Sequence, residues 1–223
     1  MNTLVSLCLA ALGTATAFAE GDWTPLFNGK DLDGWEQHGG KAVYAARDGT
    51  VVGKTVADTP NSFLCTKRAF GDFVLELEFK VVPGMNSGVQ FRSEVFDKEK
   101  EISVDGKPRK IPADRVHGYQ YEIDPSARAF TGGVYDEGRR GWLANLEKNE
   151  AARKAFKQGE WNQARIECRG DSIKTWINGV AAADFKDSMT PKGLIALQVH
   201  GIGKTGKPGE EVAWRNIRIK ELK

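Results

Sequence analysis

Apolar and polar positions alternate along most of this chain in short runs. In "FVLELEFKVV", Phe73, Leu75, Leu77, Phe79 and Val81 fall on one side, and Glu76, Glu78 and Lys80 on the other. That period predicts a half-buried antiparallel strand whose Glu/Lys face is an ordinary solvated surface. "ARIECR" repeats it, with Ala164, Ile166 and Cys168 inward and Arg165, Glu167 and Arg169 outward. "SIKTWINGVAAADF" sets Asn178-Gly179 between two β-prone runs, which predicts a hairpin with a type I′ turn. "GLIALQVHG" and "VAWRNIRIKEL" predict the last two strands. One segment, "ANLEKNEAARKAFK" at 144–157, predicts a helix with Asn145 as its cap. The charged stretch 97–114, "DKEKEISVDGKPRKIPAD", predicts an exposed excursion between two sheet strands, with room for a small hairpin.

Many strands, Gly-rich turns and a single helix predict an all-β fold of two packed antiparallel sheets, with a closed barrel as the other architecture. The length, 223 residues, is ample for one such core. The run "LVSLCLAALGTATAF" followed by Ala17-Phe18-Ala19 has the form of a cleavable leader, too short to span a membrane comfortably. The expected organisation is therefore a signal peptide at 1–19 and one mature domain at 20–223, periplasmic or secreted. Cleavage leaves Cys65 and Cys168, which read first as small buried apolar residues, with pairing in an oxidising compartment open. The formal charge of +2 offers no large basic field, so neither nucleic acid nor a membrane is an expected partner. Oligomeric state is open.

Three strands depart from the Glu/Lys pattern. "NSGVQFR" places Asn86, Gln90 and Arg92 opposite Val89 and Phe91. "GYQYEID" places Gln120, Glu122 and Asp124 opposite Tyr119, Tyr121 and Ile123, and "IALQVHG" places Gln198 and His200 opposite Ile195, Leu197 and Val199. Amides both donate and accept, as sugar hydroxyls do, and Arg adds a fixed fork of donors. If the three strands are neighbours, these faces make one carbohydrate-binding floor; taken singly, each is only a wet sheet face. The aromatics Tyr135 and Trp142 read first as packing. "VYDEGRRG" reads as a charged loop, because the adjacent Asp136 and Glu137 would point opposite ways on a strand.

No nucleophile elbow, phosphate loop or H-E-x-x-H occurs. Three His and two mature Cys offer no zinc spacing, so no cofactor is expected, with Ca²⁺ at Asp124 or Asp136 left open. "YEIDPSA" carries two acids on one face, but the third acid of a laminarinase-like E-x-D-x-E is Ser126. Glu122 and Asp124 would stand roughly 6 to 7 Å apart, with no evident split into acid and base, which weakens ordinary glycoside hydrolysis.

"WTPLFNGKDLDGWE", "PGMNSGVQFRS", "GYQYEID", "TGGVYDEGRRGWL", "GEWNQARIECRGDSIKTWINGV" and "GLIALQVHG…VAWRNIRIKEL" together resemble, in order and over nearly the whole mature chain, the 3-keto-disaccharide hydrolase domain family. The resemblance implies a concanavalin-like jelly roll, exported in bacteria, acting on glycosides oxidised at C3. A C3 ketone acidifies the C2 proton, so a base can abstract it, the C1 oxygen leaves by β-elimination, and water adds. On this reading Glu122 is the base, Arg92 or His200 polarises the ketone, and Asn86, Gln90, Gln120 and Gln198 hold hydroxyls. Asp124 is the reserve base, and Tyr135 and Arg139 close the rim. The family often has an acid where Gln120 stands and an amide where Glu122 stands; here they are exchanged. Two rival functions share the architecture: a non-catalytic carbohydrate-binding module, and an interaction domain of larger secreted machinery.

Overall fold

Seventeen strands and one short helix follow from this alternation in the computed structural model, which describes residues 23–222. The leader expected at 1–19 lies outside the described residues. The strands are β1 (Thr24–Pro25), β2 (Trp35–Gly39), β3 (Val43–Arg47), β4 (Thr50–Lys54), β5 (Ser62–Thr66) and β6 (Phe73–Val81). Next come β7 (Ser87–Glu94), β8 (Lys100–Val104), β9 (Lys107–Ile111), β10 (His117–Ile123), β11 (Val134–Glu137) and β12 (Gly141–Ala144). After α1 (Glu150–Ala155) follow β13 (Asn162–Arg169), β14 (Ser172–Ile177), β15 (Val180–Lys186), β16 (Leu194–Val199) and β17 (Glu211–Glu221).

Two large antiparallel sheets form the sandwich, in the orders β15-β14-β13-β6-β17-β4-β3 (with β1 beside β17) and β12-β11-β10-β7-β16-β5-β2. The inward residues of both sheets make one core. Phe73, Leu75, Phe79, Ile166 and Ile173 from the first meet Val89, Phe91, Tyr121, Ile123 and Leu197 from the second, all fully buried. Each such side chain stabilises the fold by roughly 1.5–3 kcal/mol. The Asn178-Gly179 turn has both residues at positive φ, 49° and 79°, as a type I′ hairpin requires. Cys65 and Cys168 are free and buried, one in each sheet.

The helix is shorter than its composition suggested. Ala144 ends β12, Leu146 drops into the core, and the cap is Asn149, whose side chain accepts from the Ala152 amide at 3.1 Å. Asn145 instead accepts from Glu147 N in a turn. The 97–114 excursion does contain a hairpin, β8–β9, but its base is not exposed. Val95 and Val116 pack on Phe63, Cys65 and Ala196, a small apolar cluster on the outer face of the seven-stranded sheet. Asp114 pins the returning arm to β2, accepting from Gly39 N at 3.0 Å and contacting His38 at 2.6 Å. The Glu/Lys face of β6 is not simply solvated either. Glu76 is 5% exposed, held by Arg165 at 2.6 Å and Arg218 at 2.7 Å.

Arg92 breaks the alternation. Two residues of β10, and likewise of β16, face three of β7 here, so β7 carries one extra residue. Arg92 is that residue, at φ 44° and fully buried. Its guanidinium donates to Gly71 O (2.8 Å), Gly170 O (2.8 Å) and Asp72 Oδ1 (2.7 Å), and so ties loops of the opposite sheet. The bulge puts Ser93, not Arg92, beside Gln90.

Two predictions follow from this packing. Arg92→Met removes the three hydrogen bonds of a fully buried guanidinium, so the urea midpoint falls by the equivalent of roughly 3 kcal/mol; Lys154→Met at the exposed pair with Glu150 costs less than about 1 kcal/mol by the same measurement. His117 is fully buried beside Phe96, with neither ring nitrogen hydrogen-bonded among the described residues. Burial first, and the Arg139 charge second, pull its pKa from 6.5 to about 4. The unfolded chain therefore takes up a proton that the folded chain refuses. The stability contribution is full above about 6.5 and drains as pH falls toward about 4. Thermal melts across that window should show His117→Leu losing less stability on acidification than the wild type.

Candidate active site

The alternate residues of β7, β10 and β16 point away from the core onto the outer face of the seven-stranded sheet, where the three strands are adjacent. A line of hydrogen bonds crosses this floor. Ser93 Oγ donates to Gln90 Oε1 (2.8 Å), Gln90 Nε2 to Gln120 Oε1 (2.7 Å), and Gln120 Nε2 to Glu122 Oε2 (2.7 Å). From the other side Asn86 Nδ2 donates to Glu122 Oε1 at 2.7 Å. Gly88 makes room for this line, because a Cβ there would stand 2.5 Å from Gln120 Cδ. Each carboxylate oxygen of Glu122 thus accepts one amide and keeps a lone pair. Burial raises the Glu122 pKa, the two amides pull it back, and the Asp124 charge pushes it up again; the balance lies above the ordinary value.

The floor opens into a hollow of about 540 Å³ lined by Asn86, Gln120, Glu122, Tyr135, Gln198 and His200, together with five residues from loops and the sheet edge. Tyr135 lies opposite Gln120 and Trp142 opposite Tyr135. Trp142 stands edge-on to Tyr135 (5.4 Å between centroids, 80°) and to Phe130 (5.3 Å, 86°). Arg128 covers the indole with its guanidinium at 5.8 Å and is tethered to Asp124 at 3.1 Å. Gln198 is 1% exposed, and neither atom of its amide has a partner among the described residues. An unpaired buried amide costs about 1–3 kcal/mol, which a ligand hydroxyl or carbonyl would recover.

Six of the residues singled out from the sequence therefore meet in one hollow. Gln90 sits beneath it, fully buried, as a link to Gln120. Asp124 backs Arg128 and the Ser126 amide rather than facing the hollow. Arg92 is removed by its bulge. Arg139 is also elsewhere: buried Asp136, on the face opposite Tyr135, draws Arg139 Nε to 2.8 Å and Arg140 Nε to 2.6 Å. The "YDEGRR" stretch is thus a hairpin locked by buried ion pairs, not a solvated loop. Asn61, Arg128, Glu137 and Trp142 line the hollow without having been singled out as site residues. Glu137 was legible, since two residues on from Tyr135 it shares Tyr135's face; Asn61 and Arg128 lie between strands, where no period places them.

A second hollow, about 480 Å³, opens on the outer face of the eight-stranded sheet beside Glu76 and Glu78. Both acids are paired with arginines there, Glu78 with Arg215 at 2.5 Å, so neither is a free base. Among the described residues no group of three or more His, Cys, Asp or Glu side chains is placed to hold a metal ion.

Known proteins resemble this chain in sequence and fold. A curated relative from Bacteroides thetaiotaomicron, named 3-keto-disaccharide hydrolase, is 25% identical over 236 residues, covering 88% of this chain and 77% of its own. A crystal structure described as a candidate glycosyl hydrolase from Parabacteroides distasonis superposes with a TM-score of 0.57 at 20% identity, over 91% of this chain and 94% of that one. A carbohydrate-binding module of Bacillus subtilis superposes with a TM-score of 0.52 at 16% identity, over 84% and 96%. These two likenesses show the lectin-like sandwich fold. The model of the 3-keto-alpha-glucoside-1,2-lyase-like domain matches residues 22–220, and the chain belongs to that family.

Proposed function

We propose that the protein cleaves 3-keto-glycosides, with Glu122 as the base that removes the C2 proton. The observation that carries this is the environment of Glu122: a buried carboxylate with two neutral amide donors, on the floor of an amide-lined hollow. A binding module needs hydrogen-bonding groups but no buried acid with a raised pKa; a base working near neutral pH does. Neutral donors orient the carboxylate without quenching it, whereas an Arg in contact would hold its pKa down.

The electron flow is short. Glu122 takes the C2 proton, the C2–H pair forms a C1–C2 double bond, and the C1–O bond to the aglycone breaks. As the proton leaves, charge builds on the C3 oxygen. Arg92 lies outside the hollow and cannot stabilise that charge. Gln198 offers an unpaired amide donor instead, and Arg128 supplies a nearby positive charge. Water then adds at C1, and the proton returns to C2. Asn86 and Gln120 keep one free N–H each for hydroxyls. Export by the leader at 1–19 is part of the same proposal and places this chemistry in the periplasm or outside the cell.

Aglycone release from a 3-keto-glucoside and from the unoxidised glucoside is the deciding assay. Release is expected from the keto substrate alone, and Glu122→Gln lowers kcat by roughly 10²–10⁴-fold without changing the circular dichroism spectrum. Glu122 works only when ionised, and its pKa is raised, so the acid limb of kcat/KM lies above the ordinary 4.5 and rises with pH. Binding of both glucosides with no turnover would make the protein a carbohydrate-binding module instead.

A further inference from the structure

Among the amides of the floor, Gln198 alone stands without a partner. Asn86, Gln90 and Gln120 each donate at 2.7 Å. Gln198 is 1% exposed, and neither Nε2 nor Oε1 is hydrogen-bonded among the described residues. The strand register gives the reason. Gln198 lies opposite Phe63 on one side and opposite Gly88 on the other. The Phe63 ring offers no hydrogen-bonding group, and Gly88 has no side chain at all. The backbone cannot carry the amide elsewhere, because β16 is a central strand and Ser87 Oγ donates to Gln198 O at 2.7 Å.

A Leu or Met would fill this place with no unmet polar group, so the amide costs the free protein stability. Its neighbour Leu197 packs in the core, while Gln198 lines the hollow. The unmet amide thus stands where a ligand would lie. It can turn toward one without breaking a bond, whereas Gln90 and Gln120 would first have to break theirs.

The chemistry above uses only Nε2, as a donor to the C3 oxygen. Oε1 is equally unmet, and it can only accept. A ligand that satisfies both atoms carries an acceptor with a donor beside it. In a 3-keto-glycoside the ketone is flanked by the C2 and C4 hydroxyls. The C2 side belongs to Glu122, where Asn86 and Gln120 adjoin the carboxylate oxygens. Glu122 and Gln198 are register partners of Gly88 from opposite sides, so their Cα atoms stand roughly 10 Å apart. That gap admits one pyranose ring between the two side-chain ends. With C2 over Glu122, C4 falls on the Gln198 side.

We propose that Gln198 holds the ketone and the C4 hydroxyl together, Nε2 donating to the C3 oxygen and Oε1 accepting from the C4 hydroxyl, and so sets specificity at C4. This rests on the 3-keto-glycoside reading above. The amide is planar, with its N–H and C=O side by side. An equatorial C4 hydroxyl lies close to the plane of the neighbouring carbonyl, so both bonds form at once. An axial hydroxyl stands out of that plane and leaves Oε1 unmet. The site therefore takes 3-keto sugars with an equatorial C4 hydroxyl and discriminates against C4 epimers and 4-deoxy sugars.

The test uses the full chain and three substrates with one 4-nitrophenyl aglycone: the 3-keto-glucoside, its 4-deoxy analogue and its C4 epimer. Wild-type kcat/KM should fall roughly 10–10²-fold on the 4-deoxy substrate, and at least as far on the epimer. In Gln198→Leu, kcat/KM on the glucoside should drop and the 4-deoxy penalty should nearly vanish. Comparing that penalty between the two proteins cancels the substrates' own reactivity. Gln198→Met should melt no lower than the wild type in the absence of substrate. An undiminished penalty in Gln198→Leu, or no penalty in the wild type, overturns the assignment and leaves the cleavage reading intact. A lower melting temperature in both variants shows the amide serving the fold, and overturns the assignment too. Release from none of the three substrates by the wild type overturns the cleavage reading, and this proposal with it.

Discussion

The two-residue period of strands packed between two sheets governs everything else in this molecule. Burial admits only apolar side chains between the sheets, and that demand sets the orientation of every second residue in β6, β7, β10, β13 and β16. The remaining residues have no choice but the outer faces. A one-residue slip of β10 would send Glu122 into the core and Tyr121 into the hollow. The core therefore holds the candidate site in register as firmly as it holds the fold.

The two outer faces show how the same residue type comes to differ. Glu76 on the eight-stranded sheet lies between two guanidinium groups and serves as a strut. Glu122 on the seven-stranded sheet is equally buried, and its hydrogen bonds among the described residues come from amides. Glu76 is taken up by two cations in holding the sheet, while Glu122 is held by neutral donors and its pKa is raised by burial. Composition does not distinguish these two glutamates; their neighbours across the sheet do. The chemistry proposed here needs the second kind of acid.

Much of this was legible in the residues. The alternation in β6, β7, β10, β13 and β16, the Asn178-Gly179 turn and the turning of Asn86, Gln120, Glu122, Gln198 and His200 away from the core followed from period and residue type. Arg92 was misplaced because a bulge shifts the period by one, and no residue in "VQFRSE" announces it. Its guanidinium finds three acceptors in loops of the other sheet, contacts that are remote in sequence. Arg139 was misplaced for a related reason: Asp136, buried on the far face, captures it. The helix was drawn too long because Ala and Leu favour helix locally, whereas Leu146 is claimed by the core.

The sequence by itself determined the class of fold, the two faces of each regular strand and the chemical character of the floor, because these depend on spacing within one strand. Only the tertiary structure decided which strands became neighbours, which acid was neutralised and which loops walled the hollow. Asn61 holds the Gly201 amide, Arg115 pairs with Glu137, and the arm after β9 is pinned back onto the sheet by Val116 and Asp114 rather than forming a free excursion. Such contacts depend on the coiling of a whole sheet, a property that no short stretch of residues contains.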